Sequence, residues 1–363
     1  MVNVNHETSG EVTPDHRPNW VADELPGCIR TAVDLGVDPD GETDVVATVV
    51  RYAPSHPAAT PDREGARPGG EDMDADAAQG IGPRPAVLWV HGLSDYFFQV
   101  HLARAIHAAG WDFYAVDLRK CGRSHRPGQR RHFITDLALY DDDQTAALDI
   151  IAAEGHDRVV VGGHSTGGLV IAGWLDRLRT SDPRRHALIV GGLFDSPWLD
   201  LPVDDWKLPF MRPAVKLLGR LTPNRCIPED SLGGYGESLH VSRHGEWDYD
   251  LGHKPLVGFP MPFSWLAAIV RAQDELARGL ETGVPNLVLR SDRSWIGKPY
   301  SAATDSADAI LDVEHIARRA RCLGEGTRCA VIPGARHDVY LSAEHARALA
   351  FRETLDFLRN LAG

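Results

Sequence analysis

Ser165 sits in the pentapeptide Gly163-His164-Ser165-Thr166-Gly167, directly after the apolar run Arg158-Val159-Val160-Val161. With 35 glycines in 363 residues a chance G-x-S-x-G is unremarkable, so the setting decides. Here a strand-like run precedes the serine and a helix-like run, "GGLVIAGWL" (167–175), follows it. A strand–turn–helix of this kind holds a serine on a sharp, exposed turn, and small neighbours let strand and helix approach each other. The first turn of the helix also aims backbone N–H groups, that of Thr166 among them, at developing negative charge. The expected chemistry is nucleophilic attack by Ser165.

A serine hydroxyl needs a base at neutral pH. Seventeen histidines are available, so order along the chain is the useful constraint. Where a nucleophile elbow leads into a helix, the acid and then the histidine follow it in sequence. His337, in "CAVIPGARHDVYLS" and before the last helix-like segment, fits the base. For the acid, "NLVLRSDRSWIGKPYSAATDSADAILDVEHI" offers Asp292 at the strand end and Asp305, Asp308 and Asp312 beyond it. Position alone favours Asp292. A second oxyanion donor is expected after an early strand: in "VLWVHGLSDY", His91-Gly92 end the strand and the N–H of Leu93 pairs with that of Thr166.

These residues need a scaffold. Apolar runs at 86–90, 111–117, 158–163, 187–195, 286–291 and 329–334 alternate with amphipathic stretches such as 141–155 and 343–363. Continuous apolar strands between helices imply an α/β fold with a mostly parallel twisted sheet covered on both faces. "TDVVATVVRYA" (43–53) adds a strand by its β-branched content. Residues 1–24 read as a loose N-terminal arm, and 54–85, rich in Pro, Gly, Ala and Asp, as a flexible loop. The core then spans 25–195 and 263–363. Residues 196–262, rich in Pro and aromatics and without strand pattern, are expected to insert as a cap over the C-terminal edge of the sheet, where open α/β sheets bind ligands.

Composition narrows the partners. A net charge of −13 argues against nucleic acid. No apolar run reaches the roughly 20 residues that span a bilayer, and no basic amphipathic helix is evident, so no stable membrane insertion is expected. The N-terminus lacks a signal-peptide pattern, which points to the cytoplasm. Five scattered cysteines, none in C-x-x-C, suggest neither a disulfide framework nor a metal site.

Together the residues resemble the α/β-hydrolases of the monoglyceride lipase, lysophospholipase and serine-aminopeptidase type, over roughly 85–360. "Asp117-Leu118-Arg119-Lys120-Cys121-Gly122-Arg123-Ser124" is similar to that family's D-x-R-G-x-G-x-S segment, with Lys120-Cys121 in place of Gly-His. "HGLSDYFFQ" lacks the glycine and histidine often found after His-Gly. The family's acid opens a D-x-x-V-D-like turn about 30 residues before the histidine, and "Asp308-Ala309-Ile310-Leu311-Asp312" resembles it. The resemblance therefore implies Asp308, with Asp292 as the alternative. It further implies an α/β-hydrolase fold, a small-molecule ester as substrate, acyl transfer to water without metal or organic cofactor, and activity that falls as pH drops through roughly 6–7. Serine aminopeptidase or amidase activity is the alternative within the class, and a catalytically silent binding protein the alternative outside it. Substrate contacts are expected from His91, Gly92, Trp198 and Trp247, and an apolar pocket from Trp206, Phe210, Met211, Tyr249, Phe259 and Phe263.

Overall fold

Apolar runs of five to seven residues suit strands buried on both faces, and longer amphipathic stretches suit the helices that cover them. The computed structural model describes residues 18–62, 84–227 and 233–362. Its strands are β1 (Val21–Ala22), β2 (Cys28–Asp34), β3 (Val46–Tyr52), β4 (Ala86–Val90), β5 (Asp112–Asp117), β6 (Val159–His164), β7 (Ile189–Asp195), β8 (Cys226–Ile227), β9 (Met261–Pro262), β10 (Asn286–Ser291) and β11 (Thr327–Ile332). The α-helices are α1 (Val100–Ala108), α2 (Asp141–Ala153), α3 (Thr166–Ser181), α4 (Pro183–His186), α5 (Leu208–Leu221), α6 (Gly233–Leu239), α7 (Phe263–Ala277), α8 (Val313–Ala320) and α9 (Glu344–Ala362). Among the described residues nine strands form one sheet, in the order β1-β2-β3-β5-β4-β6-β7-β10-β11. From β5 to β11 neighbours are parallel, and β3, β2 and β1 extend the sheet antiparallel at one edge.

Alternation within the strands builds two cores. In β4, Ala86, Leu88 and Val90 face the layer of α2, α3, α7 and α8, whereas Val87 and Trp89 face α1 and α9. All five residues are buried, which is why this strand reads as a continuous apolar run rather than an alternating one. Parallel strands joined by helices bring every C-terminal strand end to the same edge, so the loops after β4, β6, β7, β10 and β11 meet there.

Two boundaries and one strand differ from the sequence reading. Residues 18–24 are not part of a loose arm: β1 pairs with β2, Trp20 Nε1 donates to Glu154, and buried Asp23 receives the Arg123 guanidinium at 2.7 Å. Residues 1–17 lie outside the described residues. In the stretch 54–85, Asp62 is buried and accepts from the Tyr52 hydroxyl and Arg104, which fixes residues 54–62 against the core; residues 63–83 lie outside the described residues. A paired carboxylate is the signal that composition alone overlooks. The strand β2 also escaped the sequence reading, because, one strand in from the sheet edge, it is only half buried.

Residues 196–262 contain α5, α6 and the ribbon β8–β9, a strand pair that the sequence reading did not foresee. Arg212 joins Asp200 and Asp274, and Lys216 joins Asp274 at 2.8 Å, which fastens one face of α5 to α7. The other face turns Phe210, Met211, Leu217, Leu218 and Leu221 outward. No helix among the described residues is long and apolar enough to cross a membrane.

Candidate active site

The strand β6 ends at His164 and α3 begins at Thr166, so Ser165 alone makes the turn, at φ +52° and ψ −116°. A non-glycine residue there is strained by about 1–3 kcal/mol and persists only when its surroundings hold it. They do so on both sides: the Ser165 N–H donates to the Asp195 carbonyl, and the Ser165 carbonyl accepts from Gly168 and Trp198. Two glycines make the approach possible. A Cβ on Gly163 would meet the Gly167 carbonyl at 2.7 Å, and one on Gly167 would run into the carbonyl oxygens of Val90 and His91.

Around this turn the sequence-derived residues sort themselves by distance. Ser165 Oγ lies 2.9 Å from His337 Nε2, and His337 Nδ1 lies 3.0 Å from Asp308 Oδ2. A carboxylate only accepts, so Nδ1 carries the proton, donates to Asp308, and leaves Nε2 to accept from the serine hydroxyl. Asp308 is fully buried, and its Oδ1 accepts from the N–H groups of Ile310 and Leu311. Asp292 is not brought to the histidine: it is exposed and caps the turn at Gly334 N–H. Asp305 pairs with Arg336, and Asp312 caps the first turn of α8. The residues 292–307 thus intervene between strand β10 and the carboxylate, which is why proximity in sequence misled. Such a relay can take a proton from the serine as it attacks a carbonyl and return it to a leaving group. Thr166 opens α3, so its N–H has no partner within the helix. With Leu93, Thr166 lines the same cavity as Ser165 and His337.

A second layer lies beneath. Asp195, the last residue of β7, touches both halves of the site: its carbonyl holds Ser165 N–H, and its Oδ1 accepts from Val339 N–H at 3.2 Å. His164 Nδ1 lies 3.1 Å from its Oδ2. Asp338 accepts from Gln99 and from Tyr340 N–H. Burial first, and then the neighbouring Asp338 carboxylate, push the Asp195 carboxyl well above the usual range. The atoms of His164, Asp195 and Asp338 lie close enough to hold an ion, but their oxygens already have these partners. The sequence reading missed Asp195 because it looked like a strand end and nothing more.

The cavity over Ser165 holds about 310 Å³. Leu93, Trp198, Pro255, Leu256, Met261 and Ile310 supply apolar wall. Asp95 and Lys254 form a buried ion pair within it, 2.9 Å apart. Burial works to raise the Asp95 carboxyl, yet the charges facing it, Lys254 foremost, hold it below the usual carboxylate range. Neither residue was singled out from sequence, since Lys254 lies in a cap without periodicity.

Several expected substrate contacts are placed elsewhere. Trp198 and Tyr249 line the cavity, but Trp247 does not: its Nε1 donates to the Leu341 carbonyl, its ring stacks on His101 at 4.5 Å, and it fastens cap to core. His91 turns away, its Nε2 accepting from Leu118 N–H. Gly92 lies beside the His164 ring and Ser165, where a Cβ would meet His164 at 3.1 Å and the Ser165 Cβ at 3.2 Å. Trp206, Phe210 and Met211 are exposed because α5 is anchored through its opposite face. Phe259 packs on His132 and Arg131, and Phe263 opens α7. Lys120 and Cys121, the departures from the family segment, are buried, the lysine on Asp38 and Glu42 and the thiol beside His132.

The family described as serine aminopeptidase, S33, matches residues 82–344. Among solved structures, a soluble variant of monoglyceride lipase from Saccharomyces cerevisiae, in complex with a substrate analog, superposes with a TM-score of 0.61 at 16% identity, covering 91% of this chain and 94% of that one. The monoacylglycerol lipase of Paleococcus ferrophilus gives 0.52 at 20% identity, over 77% of this chain and 97% of that one. No curated protein matches the sequence. At such identities the likeness to solved structures concerns the fold.

Proposed function

Because the chain belongs to the α/β-hydrolase family described as serine aminopeptidase, S33, we propose that it is a serine hydrolase that cleaves carboxylic esters through an acyl-enzyme on Ser165. The observation that carries this reading is the continuous relay from Ser165 Oγ through His337 to buried Asp308, opening on a largely apolar cavity. Ser165 Oγ attacks the ester carbonyl as its proton passes to His337 Nε2. The N–H groups of Leu93 and Thr166 receive the oxyanion. Collapse expels the alcohol, which takes the proton from His337. Water, deprotonated by the same nitrogen, then releases the acid and restores the serine.

The cavity favours an ester over a peptide with a free N-terminus. An aminopeptidase needs a carboxylate for the substrate's ammonium group. Among the described residues lining the cavity Asp95 is the one carboxylate, and Lys254 already neutralises it. A further cation there would face the lysine at close range. The apolar wall suits an acyl chain or a small apolar acyl group, as in monoacylglycerol- or lysophospholipid-like esters.

The test is hydrolysis of p-nitrophenyl esters from acetate to palmitate, beside alanine and proline p-nitroanilides, with wild type and Ser165→Ala in parallel. Ester turnover that disappears in the variant, together with fluorophosphonate labelling of Ser165, is the expected result. Turnover of the anilides alone moves the reading to an aminopeptidase. Silence on every substrate, without labelling, leaves a binding protein.

A further inference from the structure

A second cleft, of about 710 Å³, opens on the other side of the loop that follows β5. Its lining is unusual for a chain of net charge −13. Arg30, Arg123, Arg126, Arg131, His125 and His253 face it, and no carboxylate is among its lining residues. Two of the arginines are accounted for. Arg123 is held by Asp23 and Asp117 at 2.7 and 2.8 Å, and Arg30 leans on Asp23 at 3.6 Å.

The other two are not neutralised. Arg126 donates only to backbone carbonyls, those of Arg123 and His125. Arg131 lies over the Phe259 ring, and its Nη1 is buried without a hydrogen-bond partner. Among the described residues neither makes an ion pair. Burial lowers the Arg131 pKa, with Cys121 and then Asp250 as the offsets. Positive charge is concentrated further: after burial and a backbone bond, what His125 feels most is Arg131, His253 and Arg126. The unpartnered Arg131 Nη1 has no accessible surface, so it is the other N–H groups of Arg131, and those of Arg126, that a ligand in the cleft can reach. Arginine forks match the oxygens of phosphate in both spacing and plane.

We propose that this cleft is a binding site for a phosphate-type oxyanion, held chiefly by Arg126 and Arg131 with His125 and His253 at its rim. The site is separate from the catalytic cavity but shares a wall with it. His253 lines the cleft, and the next residue, Lys254, reaches into the cavity to Asp95. The shared chemistry is the phosphoryl group, whether on a soluble metabolite or on a lipid headgroup.

The experiment uses the full chain. Isothermal titration with inorganic phosphate and phenyl phosphate is set beside flotation with vesicles of phosphatidylcholine, with and without phosphatidic acid. Wild type is expected to bind one phosphate per chain, and Arg131→Gln and Arg126→Gln each to weaken it about tenfold, the share of one lost charge-assisted hydrogen bond. Both variants should keep wild-type melting temperatures and p-nitrophenyl acetate turnover, so that loss of binding is not loss of fold. Binding of the soluble anions without vesicle enrichment assigns a free phosphoryl ligand, and enrichment on phosphatidic acid that is lost in both variants assigns a headgroup. Absence of binding in every arm, or binding indifferent to both substitutions, overturns the proposal.

Discussion

In the proposed relay single residues carry the chemistry, and two aspartates separate function from position. If Asp308 orients His337, Asp308→Asn should lower kcat by about 10⁴-fold, as expected when the amide favours the wrong imidazole tautomer. Asp292→Asn, on an exposed turn, should leave kcat unchanged. Steady-state kinetics on one p-nitrophenyl ester checks both; equal losses would mean that the relay has been assigned to the wrong carboxylate. Asp195 makes a different prediction. Its folded-state carboxyl is raised well above the ordinary value by burial and by Asp338. A raised acid is a liability that begins as pH climbs past the unfolded value, about 3.9, because the unfolded chain then releases its proton more readily than the native one. Stability therefore falls with rising pH from that point toward the raised folded value. An amide in place of this carboxyl cannot ionise and retains an oxygen for Val339 N–H. The melting temperature of Asp195→Asn minus that of wild type should therefore grow between pH 4 and pH 8. A difference that shrinks over this range would mean that Asp195 is ionised in the fold.

At the scale of elements, the turn from β6 into α3 works because glycine occupies both sides of it. Gly163→Ala forces a Cβ against the Gly167 carbonyl. Overpacking of this kind costs about 1–3 kcal/mol, and the displaced helix moves Ser165 away from His337. Denaturant titration together with fluorophosphonate labelling should show both losses; a stable variant that labels at the wild-type rate would refute the close-packing argument. This turn was legible in the sequence for a physical reason. Strands such as Val159–His164 and Ala86–Val90 are buried on both faces and so read as apolar runs, up to His164 in the first of them. Ser165 and His337 stood out by order and context. Asp308 needed the family resemblance, since residues 292–307 separate it from its strand. The Asp95–Lys254 pair was illegible: it joins a core loop to a cap segment far along the chain, and no period marks either. The exposed face of α5 was equally hidden, because its helical stripe of Phe210, Leu217 and Leu221 looks inward until Arg212 and Lys216 are seen to anchor the opposite side.

At the scale of the described residues, one nine-stranded sheet carries the candidate site at its C-terminal strand ends, and residues from 196–262 help to line the cavity there. Trp247 and the Arg347–Glu246 pair join residues 246–247 to the C-terminal part of the core. Trp247→Ala removes the bond to the Leu341 carbonyl and the stack on His101, and should raise KM for long-chain esters more than it lowers kcat. An unchanged KM across the ester series would show that this fastening does not shape the cavity. The strained serine has a further consequence, in time. Its conformation is held by the Asp195 carbonyl from the neighbouring strand and by Trp198 N–H from the first residues beyond it. A refolding chain that has formed β4, β5 and β6 but has not yet docked β7 therefore lacks the clamp that fixes the turn. Burial of Trp89 and Trp111 should then recover before fluorophosphonate reactivity, so that the nucleophile is among the last parts of the molecule to become itself.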